Sequence, residues 1–212
     1  MTDKITFELD GRTVEAEAGE TIWQVAKREG TSIPHLCWLP EPGYRADGNC
    51  RACMVEVEGE RVLAASCQRV VAEGMKVKSA SERAKKSREM VFELLLADQP
   101  AREESHDPAS AFWSWIDEMG VSTKSRYPKG ERPEPDSTHA AIAVNLDACI
   151  NCGLCVRACR EVQHNDVIGM GYRGHGARPV FDFDIGMGPV SYTHLRAHET
   201  YEGISYAVFC LK

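Results

Sequence analysis

IPHLCWLPEPGYRADGNCRACM, residues 33–54, holds three cysteines in a stretch where prolines and glycines interrupt any regular helix or strand. The thiols of Cys37, Cys50 and Cys53 therefore ride on loops, and Cys67 downstream completes the string C-x12-C-x2-C-x13-C. Four thiolates so spaced suit a [2Fe–2S] centre. A four-cysteine zinc site is the alternative. Zinc ribbons usually carry two C-x2-C knuckles, and here one knuckle stands with two distant single cysteines. Gly43 and Gly48, with the small Ala52 between the paired cysteines, leave room for backbone N–H groups to donate to an electron-rich cluster.

The flanking sequence supplies a frame for these loops. Residues 4–18, KITFELDGRTVEAEA, alternate apolar and polar around Asp10-Gly11, a strong hairpin signal. Thr21 is placed to cap a helix over TIWQVAKRE, Gly30 to end it, and Ile22, Val25 and Ala26 to face the hairpin. Met54–Val57 and Arg61–Leu63 around Glu58-Gly59-Glu60 predict a second hairpin, and Met75–Val77 a last short strand. The expected fold is α+β, a small sheet wrapped on one helix.

On these residues the stretch from 1 to about 80 resembles the N-terminal ferredoxin-like β-grasp domain shared by the large peripheral subunit of complex I, electron-transfer subunits of NAD-linked hydrogenases and NAD-dependent formate dehydrogenases. It departs from plant-type ferredoxins, whose first two ligands lie only about four residues apart. The resemblance implies a [2Fe–2S] cluster on Cys37, Cys50, Cys53 and Cys67.

Residues 81–98, SERAKKSREMVFELLLAD, predict an amphipathic helix capped by Ser81, with Met90, Leu94 and Leu95 as its seam. In complex I relatives this helix leads into a His-x3-Cys-x2-Cys-x5-Cys motif. Residues 98–107 here, DQPAREESHD, contain no cysteine, which argues against complex I itself and leaves His106 as a surface or packing residue. A second helix, Pro108 to Met119, ends at Gly120 and offers Phe112, Trp113, Trp115 and Ile116 as a docking face. Residues 121–138, with three prolines and many charges, read as linker.

His139–Leu146 suggests a strand leading into DACINCGLCVRACREVQ. Cys149, Cys152, Cys155 and Cys159 form C-x2-C-x2-C-x3-C, half of a two-cluster ferredoxin, in which the first three cysteines bind one [4Fe–4S] cluster and the fourth binds the other. Arg160 replaces the usual following proline, and Gly153 gives the loop room. Cys159 then needs three partners, expected after a strand at Val180–Asp184. Alternatively all four cysteines hold one cluster.

The 212 residues carry 25 Lys+Arg against 32 Asp+Glu, a net charge of −7, which argues against nucleic acid or an anionic membrane as partner. Neither a leader-like apolar stretch nor a membrane-length apolar run is present, so a cytoplasmic protein without membrane insertion is expected. Nine cysteines in a reducing compartment read as metal ligands or redox centres rather than disulfides. Residues 191–212, SYTHLRAHETYEGISYAVFCLK, translate as a sequencing-library adapter and are set aside as an artefact. Codons TCT TAT ACA CAT CTC CGA GCC CAC GAG AC give Ser191 to Thr200, so His194, His198 and Cys210 receive no metal role, and the second cysteine quartet is expected to have been lost by truncation.

VNLDACINCGLCVRACREVQHNDVIGMGYRGHGARPVFDFD and ADQPAREESHDPAS are similar to the N-terminal region of the alpha subunit of bacterial NAD-dependent formate dehydrogenase. That resemblance covers nearly all of residues 1–190 and implies the following layout. A 2Fe–2S β-grasp domain occupies 1–80, a helical segment and linker 81–138, and a truncated 4Fe–4S ferredoxin-like domain 139–190. It also implies a molybdenum bis-pterin cofactor in a missing C-terminal part, and partner subunits carrying flavin and NAD chemistry. No residue present is expected to act as catalytic acid, base or nucleophile. The fragment alone would transfer electrons. An NAD-reducing hydrogenase subunit or a zinc-stabilised binding module are the competing readings.

Overall fold

A computed structural model of the chain describes residues 4–124, 126–130, 133–139, 142–182, 184–188 and 209–211. Strands β1 (Lys4–Leu9) and β2 (Arg12–Glu17) form the expected hairpin, paired from Lys4↔Glu17 to Leu9↔Arg12. Its two-residue turn requires positive φ at both positions, met by Asp10 at 50° and Gly11 at 81°. Helix α1 (Ile22–Arg28) starts on a capping box in which Thr21 and Gln24 satisfy each other's backbone N–H groups. Gly30, at φ 75°, turns the chain out of it.

Strands β3 (Met54–Val57), β4 (Ala64–Ala65) and β5 (Lys76–Lys78) complete a five-stranded sheet in the order β2-β1-β5-β3-β4. The central β1–β5 pair is parallel and its neighbours antiparallel. Phe7, Leu9, Val55 and Val77 of the sheet close over Ile22, Val25 and Ala26 of α1 in one buried core. The return strand expected at Arg61–Leu63 lies later, at Ala64–Ala65. Residues 60–63 loop outward instead: Val62 is 58% exposed, and the Arg61 carbonyl accepts from Arg83. The pairing is fixed beyond them, where Ser66 donates to the Cys53 carbonyl through both its N–H (3.1 Å) and its hydroxyl (2.8 Å).

Helix α2 (Glu82–Ala97) is capped by Ser81 as expected, but of the expected seam Met90, Leu94 and Leu95 only Leu95 packs inward, half-buried against the Phe92 and Leu96 core. Met90 and Leu94 are exposed, and the buried row is Ala84, Arg88, Phe92 and Leu96, four residues apart and thus on one stripe. Helix α3 (Ala111–Met119) ends at Gly120 in the left-handed conformation. It begins three residues later than expected because Asp107 turns the chain by accepting from the Ala109 N–H. Phe112, Trp113 and Ile116 join Phe92 and Leu96 in a second core, with Trp115 at its edge. His106 is exposed.

Strand β6 is limited to Ile142–Val144, within the expected 139–146. Helix α4 (Leu154–Arg157) continues as a π-helical turn through Val162, and β7 (Ile168–Gly171) pairs antiparallel with β8 (Arg178–Phe181). The strand expected at Val180–Asp184 thus starts and ends earlier, since beyond Phe181 the Ile185 N–H turns back to the Phe181 and Asp182 carbonyls. A last strand, β9 (Phe209–Leu211), pairs antiparallel with β6. It belongs to the stretch set aside on sequence, the rest of which, with His194 and His198, lies outside the described residues. No helix among the described residues is long and apolar enough to cross a membrane.

Candidate metal centre

The loops between α1 and β4 bring four thiols into two pairs. Cys37 meets Cys50 by side-chain hydrogen bonding, and Cys53 meets Cys67 in the same way. Cys37 feels its charge partners across the site as well, because Cys53 and Cys67 both sense it. Cys37, Cys53 and Cys67 are buried and Cys50 is half-buried. The partner thiol's hydrogen bond draws Cys50 and Cys53 down to about 6, and the same bonds, aided by burial, push Cys37 and Cys67 far up.

Backbone N–H groups supply further negative-charge stabilisation. Ala52 N–H donates to Cys50 Sγ at 3.5 Å, and the Asn49 and Cys50 N–H groups face Cys37. Arg51, at φ 59°, makes the turn that aims the Ala52 N–H. Gly48, at φ 64°, precedes the Asn49 N–H that faces Cys37. A Cβ there would come within 3.2 Å of Gln68, whose amide donates to the Ala46 carbonyl and closes the loop. Gly43 likewise faces Val162 of the second cysteine region.

Cys149, Cys152 and Cys155 come together at the other end. The Cys155 thiol is pushed to about 12 by burial first and then by Cys152 and Cys149, and burial takes Cys149 to about 11. Asn151 N–H donates to Cys149 Sγ at 3.4 Å, the same residue-plus-two pattern as Ala52 on Cys50. Gly153, at φ 72°, opens α4 with only the Asn49 amide nearby at 3.8 Å. Cys159 lies one turn on, in the π-helical segment, packed with Cys155, Ile168, Phe181 and Met187.

The donor sets fit iron–sulfur groups. Two thiol pairs match the two irons of a [2Fe–2S] cluster, each of which takes two sulfurs from protein. Iron is bound by thiolates, and the partner-thiol hydrogen bonds that draw Cys50 and Cys53 down ease the loss of their protons.

Sequence reasoning missed Arg157 and Arg88, both buried. Arg157 lies between two cysteines in CVRAC, where only its burial reveals it. Arg88 donates to the carbonyls of Met54, at 2.8 Å, and Ser79. It thereby pins the strand that follows Cys53.

Fold and sites together define an iron–sulfur electron-transfer module. Residues 2–82 match the model of a 2Fe-2S iron-sulfur cluster binding domain, and residues 142–161 that of a 4Fe-4S binding domain. The chain therefore carries [2Fe–2S] and [4Fe–4S] clusters, and the zinc alternative falls. It is 33% identical over 189 residues to the NADP-reducing hydrogenase subunit HndD of Solidesulfovibrio fructosivorans, covering 85% of this chain and 32% of that protein. It is 32% identical over 180 residues to the mitochondrial NADH-ubiquinone oxidoreductase 78 kDa subunit of Candida albicans, covering 81% and 24%. A chain in the crystal structure of an NAD+-reducing [NiFe]-hydrogenase in the H2-reduced state superposes with a TM-score of 0.72. That match has 31% identity and covers 84% of this chain and 74% of that one. The chain belongs to the family of iron–sulfur subunits shared by NAD-reducing hydrogenases and NADH-quinone oxidoreductases. It spans about a quarter to a third of the length of these two curated relatives.

Proposed function

We propose that the chain conducts electrons between a [2Fe–2S] site on Cys37, Cys50, Cys53 and Cys67 and a [4Fe–4S] site that includes Cys149, Cys152 and Cys155. The pairing of the first four thiols is the observation that carries this reading. Cys159 is assigned to a second [4Fe–4S] cluster, because it lies a turn beyond the other three. When bound, these groups supply one-electron acceptance and release. The chain's own residues bury them, donate N–H···S bonds and hold their loops rigid. The functional division places the [2Fe–2S] unit in residues 1–80, the helical connection in 81–138 and the [4Fe–4S] unit in 139–190.

Within the family, the finer reading is the N-terminal part of a cytoplasmic NAD-dependent formate dehydrogenase alpha subunit. It would work with partner subunits that bind flavin and NAD. Formate oxidation itself would belong to a molybdenum bis-pterin domain outside these 212 residues. Two features support it: the wording of residues 144–184, and residues 98–107, which lack the cysteines that complex I subunits carry there. The second reading, an electron-transfer subunit of an NAD-reducing hydrogenase, is favoured by the length of the match to the hydrogenase chain.

Two measurements test these proposals. Cys53→Ser in the reconstituted chain is expected to abolish the [2Fe–2S] absorption and EPR signal and to leave the [4Fe–4S] signal intact. An unchanged spectrum overturns the ligand assignment. A long read of the source DNA across codon 190 separates the two finer readings. Continuation through a second C-x2-C-x2-C-x3-C into a large pterin-binding domain supports formate dehydrogenase, and a stop shortly after that quartet supports the hydrogenase-type subunit.

A further inference from the structure

Arg157 is 4% exposed and lies between the two cysteine regions. Burying a guanidinium is costly unless its donors are all met. Nη2 donates to the Cys37 carbonyl and, at 3.3 Å, to the Cys152 carbonyl, so a single nitrogen joins a cysteine of each site. Nη1 donates to the Arg45 carbonyl at 2.9 Å and pairs with Asp47 at 3.2 Å, while Nε points to the Gly153 carbonyl at 3.4 Å.

The surrounding contacts run across the same seam. Asp47 also pairs with Arg45 at 2.8 Å, Arg45 pairs with Glu161 at 3.0 Å, and the Asn49 amide donates to the Cys152 carbonyl at 3.3 Å. The loop from Cys37 to Asn49 is thus clasped onto the segment from Cys152 to Val162 by one guanidinium and its ion pairs. The Cys152 thiol senses the Arg157 charge, and the same guanidinium reaches the first site through the Cys37 carbonyl.

We propose that Arg157 is a positioning residue that fixes the separation of the [2Fe–2S] and [4Fe–4S] sites, and that its positive charge between them raises the reduction potential of the [2Fe–2S] site. The proposal rests on the cluster assignment above. The exchange it serves moves one electron from one site to the other, with no proton transferred and no bond made or broken. Reduction adds negative charge, and a desolvated cation nearby favours the reduced form. Two carbonyls, one from each cysteine region, held on one nitrogen fix the gap between the sites.

The test uses the full reconstituted chain, EPR-monitored redox titration, and the mutual broadening of the two EPR signals in the dithionite-reduced protein. Arg157→Met keeps most of the side-chain volume and removes charge and donors. We expect its [2Fe–2S] site to become about tenfold harder to reduce, about 59 mV for one electron, and the mutual broadening to diminish. Arg157→Lys keeps the charge and not the fork, so the midpoint returns to near the wild-type value while the broadening stays reduced. Asp47→Asn removes the opposing charge at the outer end of the network and should shift the midpoint upward. It also keeps the proposal testable if Arg157→Met does not fold. Wild-type midpoint and broadening in Arg157→Met, or an unmoved midpoint in Asp47→Asn beside unchanged broadening in Arg157→Lys, overturn the proposal alone. A wild-type chain that takes up neither iron nor sulfide overturns the cluster assignment and the proposal with it.

Discussion

Arg88→Met should destabilise the first cluster-binding unit by about 2–4 kcal/mol, and the figure follows from what the guanidinium holds. Nη2 donates to the Ser79 carbonyl and Nε to the Met54 carbonyl at 2.8 Å. Ser79 is 4% exposed, so its orphaned carbonyl bears the full desolvation penalty, about 1–3 kcal/mol. Met54 is half-buried, and its carbonyl recovers part of its loss from water. Methionine retains most of the stem's packing between Ala84 and Phe92 and removes the burden of a desolvated charge, which trims the total. The damage spreads further, because Ser79 donates to Asp10 through its N–H at 2.7 Å and its hydroxyl at 2.6 Å. Arg88 thus links helix α2, the end of β5 and the turn of the first hairpin. Urea unfolding followed by far-UV circular dichroism measures the loss. In a domain of this size it corresponds to a fall in Tm on the order of 10–20 °C. Arg88→Lys, with one compact donor, should lose about half as much. A loss below about 1 kcal/mol in the methionine variant would refute the idea that this guanidinium anchors α2 to the strand beyond Cys53.

Two other perturbations address the connecting helices and the far end of the chain. Phe92 is fully buried and stacks on Phe112 at 5.8 Å, with Trp113 edge-on to Phe112 at 5.3 Å. Phe92→Ala should cost about 3–5 kcal/mol and loosen α3 from α2, read as an earlier tryptophan-fluorescence transition in urea; an unshifted transition rejects it. Asp136 accepts from the Thr138 hydroxyl at 2.6 Å and N–H at 2.9 Å and from the Met187 N–H at 2.5 Å, and these bonds hold its carboxyl below its ordinary value of 3.8. A depressed folded value means the clasp contributes fully above the ordinary value and is lost as pH falls through the lower one. The Met187 amide resonance should therefore titrate below pH 3.8, and Asp136→Asn should abolish that titration; a midpoint at or above 3.8 contradicts the clasp.

Much of the cluster-bearing frame was legible because short-range rules govern it. Asp10-Gly11 could be read as a turn from its tolerance of positive φ alone, and Thr21 as a cap from its place before an apolar repeat. The thiol string was legible for the same reason, since C-x2-C confines two sulfurs to one loop. What could not be read was which loop residues serve the sulfurs and which serve the packing. Gly48 precedes the Asn49 N–H that faces Cys37, yet it also leaves room for Gln68, 20 positions away, and a Cβ on Gly43 would touch Val162, 119 positions away.

The misplaced seam of α2 and the overlooked Arg157 have one physical origin. Hydrophobic periodicity treats arginine as a marker of the solvent face, so it assigned Met90 and Leu94 inward and left Arg88 outside. A guanidinium can instead occupy an interior where backbone carbonyls converge, because its planar fork satisfies several acceptors at once. Such convergence arises around cysteine loops, whose tight turns direct N–H groups toward sulfur and leave their carbonyls facing away. The Gly153–Leu154 peptide shows this arrangement: the Leu154 N–H faces the Cys152 sulfur, and the Gly153 carbonyl accepts from Arg157 Nε at 3.4 Å. Loops that spend their N–H groups on a cluster need donors for the opposite side of the same peptides. At Gly153 the buried Arg157 meets that need, and a buried arginine beside clustered cysteines is a feature to seek when reading such a sequence.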